Sequence, residues 1–167
     1  MLASKIRPAT ISDIPSIVEI RLGAVTEEDI SEFGVPEDNL YSSITKLKEI
    51  WNFGNRLKDG FEVFVSEEQG KVIGFIVFTM KRDDNIDNIV VAKDEQGKGV
   101  GRALVEFVEE LAKSRGFSVL KTDTTENAEG VPWRAYGFWR KMGYEDKGVR
   151  LSTEYGFKVI PLTKNLE

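Results

Sequence analysis

Three alternating glycines lie in the middle of the chain, in the segment Gln-Gly-Lys-Gly-Val-Gly-Arg-Ala-Leu at 96–104. They follow an apolar run at 89–92 and precede apolar residues that repeat at helical spacing up to Leu111. Glycine permits a positive φ and a close approach of the backbone, and the N–H groups at a helix start attract anions. The segment therefore predicts a strand, a phosphate-binding turn and a helix that ends at Gly116.

Two well-known nucleotide-binding motifs do not describe this turn. No Ser or Thr follows Gly97 and Lys98, as a P-loop requires, and the spacing differs from the Gly-x-Gly-x-x-Gly of dinucleotide-binding folds. A plain tight turn without a ligand is the alternative, but such a turn rarely needs three glycines in alternation. We therefore expect a phosphate-bearing ligand of another kind.

The composition restricts the chemistry that the chain can perform. Its 167 residues include no Cys and no His, which removes disulfides, thiolate nucleophiles, the commonest general base and the commonest metal ligands. Acid–base chemistry must then use Asp, Glu, Tyr, Lys or ordered water.

A formal net charge of −5 argues against nucleic acid as a partner. No apolar run reaches the ~20 residues of a membrane span and no leader is recognisable, so we expect a cytoplasmic protein.

The periodicity of apolar residues predicts a single domain over 1–167 with the element order β-α-α-β-β-β-α-β-α-β-β. A first helix is expected from Ser12, its N-cap, to Val25, and a second from Pro36 to Trp51. The strands that flank the helix after the glycines form a right-handed crossover and so run parallel. The expected fold class is α/β (α+β), a mixed central sheet of about seven strands with helices on both faces.

Two segments resemble one known superfamily. The Gln-Gly-Lys-Gly-Val-Gly at 96–101, after a strand that ends at Val91, resembles the acetyl-CoA-binding motif of the GNAT superfamily of N-acetyltransferases. The Phe-Trp-Arg-Lys-Met-Gly-Tyr at 138–144 resembles the Phe-Tyr-x-x-x-Gly-Phe segment that ends the last helix of that superfamily. The predicted element order is also similar to the superfamily's fold, so the resemblance covers nearly the whole chain.

The resemblance implies a GNAT-type fold with acetyl-CoA as cosubstrate and no metal. Backbone groups of Val90 and Val91 would pair with the pantetheine arm, in a gap where the strands before and after the motif helix splay apart. Asn127 and Trp139 would also contact the cofactor. The pyrophosphate would be surrounded by the glycine turn, with charge-assisted contacts from its Lys or Arg: Gln96, Gly97, Lys98, Gly99, Val100, Gly101 and Arg102.

Direct transfer of an acetyl group to an amine is the reaction that the resemblance implies. An ammonium is not a nucleophile at neutral pH, so a base is needed. The resemblance points to Asp87, because the superfamily often places a carboxylate on this strand to accept the proton, directly or through water. Asp87 lies four residues before Val91 and, by strand alternation, on the same face. A solvated Asp at a strand end is the equal alternative, and Asp123 and Glu126 are weaker candidates.

The general acid departs from the superfamily's pattern. The Tyr that protonates the departing thiolate there aligns with Trp139, and an indole cannot supply that proton. Tyr136 lies one helical turn earlier, which suggests that it substitutes. The alternatives are that the thiolate leaves without an acid, or that both rings belong to the core or a pocket wall.

The sequence thus predicts an acetyl-CoA-dependent N-acetyltransferase that acts on a primary amine of a small molecule, a peptide or a protein. A catalytically idle acyl-CoA-binding regulatory domain is the first alternative, because the acid Tyr is missing. An acyltransferase with a longer acyl chain or an oxygen acceptor is the second. The acidic residues 27–29 and Glu32 could attract a cationic amine, although a solvated helix face is the simpler interpretation. Oligomeric state is left open, with a homodimer paired through the terminal strands as one option.

Overall fold

The computed structural model describes residues 5–35, 40–79 and 85–167, which form one mixed sheet with helices on both faces. The ten strands of these ranges are β1 (Lys5–Pro8), β2 (Trp51–Phe53), β3 (Arg56–Leu57), β4 (Phe61–Glu68), β5 (Lys71–Thr79), β6 (Asn85–Val91), β7 (Val119–Glu126), β8 (Glu145–Asp146), β9 (Leu151–Ser152) and β10 (Lys158–Asn165). The five α-helices are α1 (Ile14–Ala24), α2 (Glu27–Phe33), α3 (Ile44–Ile50), α4 (Val100–Ser114) and α5 (Ala135–Lys141).

The strand order of the sheet is β2-β3-β4-β5-β6-β7-β10-β8, with β1 paired to β4 and β9 to β10. In the described ranges every pair is antiparallel except β6 with β7. The central strand β5 has seven consecutive buried residues, 72–78, because helices cover both of its faces. The predicted mixed sheet is confirmed; it has more strands than expected because β2, β3, β8 and β9 are segments of only two or three residues.

Two apolar clusters fill the layers between the sheet and the helices. On one face, α4 and α5 pack through buried residues such as Leu104 and Trp139. On the other face, Ile17 of α1 and Leu47 of α3 pack against Phe75 of the central strand. In the described part of the chain, none of the helices has the length and apolar character that crossing a membrane requires.

The predicted second helix is shorter than expected. Pro36, its predicted start, lies outside the described residues. The chain forms a 3-10 turn at 40–42, and the Ser43 side chain then caps α3 by accepting a hydrogen bond from a backbone N–H. Trp51 was expected in the helix but begins β2, where it pairs with Leu57. The apolar residues that predicted one long helix therefore belong to a turn, a short helix and the start of a strand.

The first helix begins later than its predicted cap at Ser12, which lies within a 3-10 turn at 11–13. The carboxylate of Asp13 accepts a hydrogen bond from the Thr10 N–H at 2.7 Å and two more from the guanidinium of Arg7. These contacts fix Asp13 at the helix entrance, so α1 starts at the next residue.

Candidate functional site

The parallel strands β6 and β7 separate soon after they begin, and this opens a cleft in the sheet. Among the described residues their register is limited to Asn85 opposite Lys121, and near that end the Thr122 hydroxyl donates to the Ile86 carbonyl at 3.1 Å. Beyond it lies a cavity of about 760 Å³, lined by residues of β6, β7, α1, α4 and α5. All eight residues of β7 pair with β10 on the other side, so the sheet continues past the cleft.

The N-terminus of α4 lies at the wall of this cleft. Gly97 and Gly99 have φ values of 79° and 86°, which L side chains rarely adopt, although an added Cβ would meet no described atom within 4 Å. Gly99 is the N-cap residue and brings no side-chain cap, and no acidic residue lies in the described first turn. The first N–H groups of α4 therefore lack a side-chain acceptor at a place where an anion can bind.

Gly101 is needed for a different reason. It lies inside α4, where an added Cβ would be 3.3 Å from the ring of Phe138 and 3.6 Å from the side chain of Val91. The missing side chain lets α4 approach both α5 and the end of β6. The first two glycines therefore serve the backbone conformation, and the third serves the packing beside the cleft.

The polar residues of the glycine turn surround the start of α4. The Gln96 side chain donates to the last carbonyl of β6 at 3.1 Å. Lys98 pairs with Glu95 at 3.4 Å and Arg102 with Glu106 at 2.9 Å, both through exposed cations. Exposed ion pairs are weak, so either cation can turn to a bound phosphate at little cost. Of the seven turn residues predicted around the pyrophosphate, all but Lys98 line the cavity, as do Val90 and Val91.

Asp87 lies in the cleft on a β-bulge of β6. The pairing of β5 with β6 skips this residue, which is the extra residue of the bulge. The Tyr41 hydroxyl donates to its carboxylate at 3.0 Å. The expectation that Asp87 shares a face with Val91 is wrong, because the bulge breaks the alternation: Asp87 contacts Tyr41 in the cluster that holds α1, whereas Val91 packs with α4.

Asp123 of β7 lines the same cleft as Asp87 of β6. Both side chains are reached by solvent through the open cleft, yet protein surrounds them. Burial raises the pKa of Asp87, although the hydrogen bond from Tyr41 acts in the opposite direction. Burial also raises the pKa of Asp123, and the negative charge of Asp87 adds to this. A carboxylate with a raised pKa binds a proton more tightly, as a general base near neutral pH should.

Tyr136 is not brought to the cleft. Its hydroxyl donates to the carboxylate of Asp146 at 2.9 Å, and it is not among the described residues that line the cavity. Trp139 does line it, as a buried ring in edge-on contact with Phe138 and Tyr144. Of the two aromatic candidates on α5, the structure therefore places the indole in the cleft wall and the phenol outside it.

Asn127 also lies away from the cavity lining that the described residues form. Its side-chain carbonyl accepts hydrogen bonds from the N–H groups of Glu129 and Val131, at 3.1 and 2.8 Å. This side chain, which was expected to contact the cofactor, stabilises the turn after β7 through its oxygen.

A bridge between α2 and the start of α5 forms a wall that the sequence did not indicate. The Asp29 carboxylate accepts hydrogen bonds from the Trp133 indole, at 2.9 Å, and from the Arg134 guanidinium. Arg134 also donates to the Ala24 carbonyl at 3.0 Å. Burial alone would raise the pKa of Asp29, but these hydrogen bonds and one from the Thr26 N–H lower it to about 2. We call these contacts the Asp29–Arg134 bridge.

The bridge corrects part of the interpretation of the acidic run. Glu27, Glu28 and Glu32 are exposed on α2, as a solvated helix face requires, but Asp29 is buried with 3% of its surface exposed. Thr26 and Asp29 have capping-box spacing, so the signal of a special role was present in the sequence. What the sequence could not indicate was the partner 105 residues away.

Three further cleft residues carry polar groups that sequence reasoning did not select. Arg21 lines the cavity although only 3% of its surface is exposed. Its pKa is lowered by burial, which the negative charge of Asp29 opposes. The hydroxyls of Thr124 and Thr125 are buried in the cleft wall without a hydrogen-bond partner in the described ranges. Buried polar groups usually have partners, so these two hydroxyls are exceptions within the described ranges.

The same ranges contain no group of three or more Asp or Glu side chains arranged to hold a metal ion.

Known proteins resemble the chain in sequence and in fold. The family model of the acetyltransferase (GNAT) domain matches residues 59–146. An uncharacterized N-acetyltransferase of Methanocaldococcus jannaschii is 32% identical over 102 residues, which are 56% of this chain and only 42% of that protein. The L-methionine sulfoximine/L-methionine sulfone acetyltransferase of Pseudomonas aeruginosa is 26% identical over 155 residues, 88% of this chain and 83% of that protein. The solved ribosomal-protein-S18-alanine N-acetyltransferase of Escherichia coli has the same fold, with a TM-score of 0.68 at 20% identity over 98% of this chain and 94% of that one.

Proposed function

The chain belongs to the GNAT acetyltransferase family, and on this premise we propose that it transfers the acetyl group of acetyl-CoA to a primary amine. The observation that carries the proposal is the cleft between β6 and β7, which has an uncapped helix N-terminus at its wall and a carboxylate of raised pKa inside it. An anion site, a gap for an extended arm and a base are the three parts that this reaction needs. One relative named an N-acetyltransferase and another named an acetyltransferase support the same reaction type.

The residues of the glycine turn fit the phosphate end of acetyl-CoA. Pyrophosphate oxygens would accept hydrogen bonds from the first N–H groups of α4, which the conformations of Gly97 and Gly99 leave uncovered. Arg102 and Lys98 would add charge-assisted contacts after leaving their exposed carboxylate partners. The arm would lie along the edge of β6 that β7 leaves open, with Trp139 in the apolar wall.

Asp87 is the residue that would take the proton of the attacking amine, directly or through water. Its carboxylate is held by the Tyr41 hydroxyl, whose own pKa is raised by burial and by the charge of Asp87, so the phenol stays protonated and keeps donating. Acetyl-CoA supplies an activated acyl group and a thiolate leaving group. As the new N–C bond forms and the C–S bond breaks, the amine proton passes to Asp87.

The departing thiolate would leave without a proton from the protein. Among the described residues no Tyr lines the cleft, and the Tyr136 hydroxyl is held by Asp146. A thiol with a pKa of about 8.5 is a tolerable leaving group near neutral pH without protonation. We therefore expect Tyr136→Phe to leave turnover and its pH profile unchanged in a thiol-release assay. A large fall in kcat would instead assign the acid role to Tyr136.

The test of the function is acceptor-dependent release of free thiol. Protein, acetyl-CoA and a panel of amino acids, polyamines and peptides are mixed, and the thiol is measured by a chromogenic reagent. CoA alone should raise the stability of the protein, by about 2.7 kcal/mol at 100 times its Kd. Stabilisation without thiol release across the panel would favour a regulatory CoA-binding domain, and release only with a longer acyl-CoA or an alcohol would redefine the enzyme.

A further inference from the structure

Asp123 is a carboxylate of the cleft to which the proposed reaction gives no role. In the described ranges β6 and β7 are paired only at Asn85 and Lys121. Asp87 and Asp123 lie two residues further along these strands, where the strands have separated. The two carboxylates therefore flank the opening of the cleft from its two sides. Both side chains line the cavity, and solvent reaches both of them.

Asp123 lies on the face of the sheet that carries α1. Along β7 the residues at 120, 122, 124 and 126 are buried and those at 121 and 123 are exposed, which is regular strand alternation. Leu120 belongs to the apolar cluster under α4 and α5, so Asp123 is on the opposite face. Asp87 shares that face, because it contacts Tyr41 in the cluster that holds α1. The two carboxylates thus face away from α4, whose N-terminus would hold the phosphates of the cofactor.

Within the described ranges, no Lys or Arg side chain neutralises these two carboxylates. Neither of them forms an ion pair there. Arg134 lines the same cavity, but its guanidinium is hydrogen-bonded to Asp29. Asp87 accepts a hydrogen bond from the Tyr41 hydroxyl. The same part of the chain supplies no side-chain donor to Asp123.

The two carboxylates are close enough to act on each other. Burial raises the pKa of Asp123, and the negative charge of Asp87 raises it further. Like charges at the opening of one cleft repel, and a cation between them relieves the repulsion. A primary ammonium has three N–H donors, so it can contact both carboxylates at once. We propose that Asp123 binds the acceptor amine as its ammonium cation, opposite Asp87, within the proposed function on which this rests.

This role differs from that of the base. Asp87 takes the proton of the attacking amine, and Asp123 keeps the amine in the cleft through another of its N–H groups. The acceptor is then a basic alkyl amine, which carries a positive charge in solution near neutral pH. Alcohols and aromatic amines are neutral under the same conditions and gain little from Asp123. The residue therefore selects acceptors by charge.

Substitution of Asp123 tests this role by separating KM from kcat. The probe is the alkyl amine with the highest kcat/KM in the thiol-release panel. Asp123→Asn should raise its KM by about 10- to 100-fold, the range for a charge-assisted hydrogen bond, and change kcat by less than about threefold. The KM for acetyl-CoA should not change. Asp123→Glu keeps the charge on a longer side chain and should recover part of the loss.

Asp59→Asn is the matched control, because Asp59 is an exposed acid in the turn before β4 and does not line the cavity. It should change neither constant. An unchanged KM for the amine in Asp123→Asn would overturn the proposal and leave the acetyltransferase function standing. A fall in kcat of about 10²-fold or more at unchanged KM would assign the base to Asp123, which also overturns it.

Stability separates a binding role from support of the fold. Asp123 has a like charge nearby and no cationic partner in the described ranges. Asp123→Asn should therefore leave the urea midpoint at neutral pH unchanged or raise it. A midpoint clearly below that of Asp59→Asn would show that the carboxylate stabilises the fold, against the proposal.

The failure of the reaction can be separated from the failure of the ammonium site. If no amine releases thiol, benzylamine, putrescine and spermidine are titrated by calorimetry into the protein saturated with CoA. Binding that Asp123→Asn weakens by about 10-fold or more, and Asp59→Asn does not, would support the ammonium site and reject only the reaction. No binding of any of the three amines, or equal binding in both variants, would overturn the proposal.

Discussion

Asp87 owes its place in the cleft to the bulge that leaves it out of the pairing between β5 and β6. Strand alternation alone would have turned it toward α4 with Val91, away from Tyr41. The resemblance suggested it as the candidate base, because the superfamily often places a carboxylate on this strand, and the chain has no His or Cys to serve instead. The face of the sheet on which Asp87 lies could not be predicted from the sequence, since a bulge depends on the register that a neighbouring strand adopts.

Asp87→Asn tests the base directly. The amide keeps the shape and can still accept from Tyr41, but it cannot take a proton. We expect kcat to fall by about 10²- to 10⁴-fold, the usual contribution of a general base, with little change in KM for acetyl-CoA. Steady-state thiol release at saturating acceptor measures this. A kcat within a factor of two of the wild type would assign the base to another group, with Asp123 the first to examine.

Tyr41→Phe tests how the base is tuned. The hydroxyl donates to Asp87 and lowers a pKa that burial raises. Without it the pKa of Asp87 should rise further, and the rate should reach its plateau only at higher pH, because the carboxylate must be ionised to act. The acid limb of the kcat profile therefore moves to higher pH. Tyr155→Phe, at a ring with 79% of its surface exposed, is the control and should leave the profile in place.

At the scale of elements, the turn before α4 is the part that the sequence predicted best. Its glycines, the apolar repeat of the helix and the closing Gly116 are local signals, and the helix starts and ends where they indicated. The helix predicted from Pro36 to Trp51 is present only as the shorter α3, because the chain forms a 3-10 turn at 40–42 and enters a strand at Trp51 to pair with Leu57. Tyr136 does not line the cleft, because its hydroxyl is held by Asp146 of β8, which is not among the described lining residues.

Gly99→Ala tests whether the turn binds phosphate. The φ of 86° strains any L residue by about 1–2 kcal/mol, while the added methyl meets no described atom within 4 Å. The fold should therefore survive, and KM for acetyl-CoA should rise because the methyl lies where the pyrophosphate approaches. Gly70→Ala, at φ 79° in the turn between β4 and β5, carries similar strain away from the cleft. It should lower stability in urea by a similar amount without changing KM, and equal KM values in both variants would contradict a phosphate site here.

For the whole molecule, the Asp29–Arg134 bridge joins α2 and the start of α5, segments more than a hundred residues apart, beside the cleft. No local pattern could have located it, because an acidic helix start resembles any solvated helix. The bridge joins residues 105 apart in the sequence, so it forms only when the chain between them has folded. Its Arg134 also lines the cleft that holds Asp87.

Asp29→Asn should therefore change how the whole fold responds to acid. The pKa of Asp29 is lowered to about 2 in the folded chain, against about 3.9 when unfolded, so the stability that it contributes is present above pH 4 and is lost as the pH falls toward 2. Loss of a charged hydrogen bond should cost about 1.5–3 kcal/mol at pH 7, and the difference from the wild type should shrink between pH 4 and pH 3. Urea unfolding at pH 7, 5, 4 and 3 measures this, with Glu32→Gln, an exposed carboxylate of the same helix, as the control. A difference that stays constant over the whole range would mean that the carboxylate charge of Asp29 does not hold the two segments together.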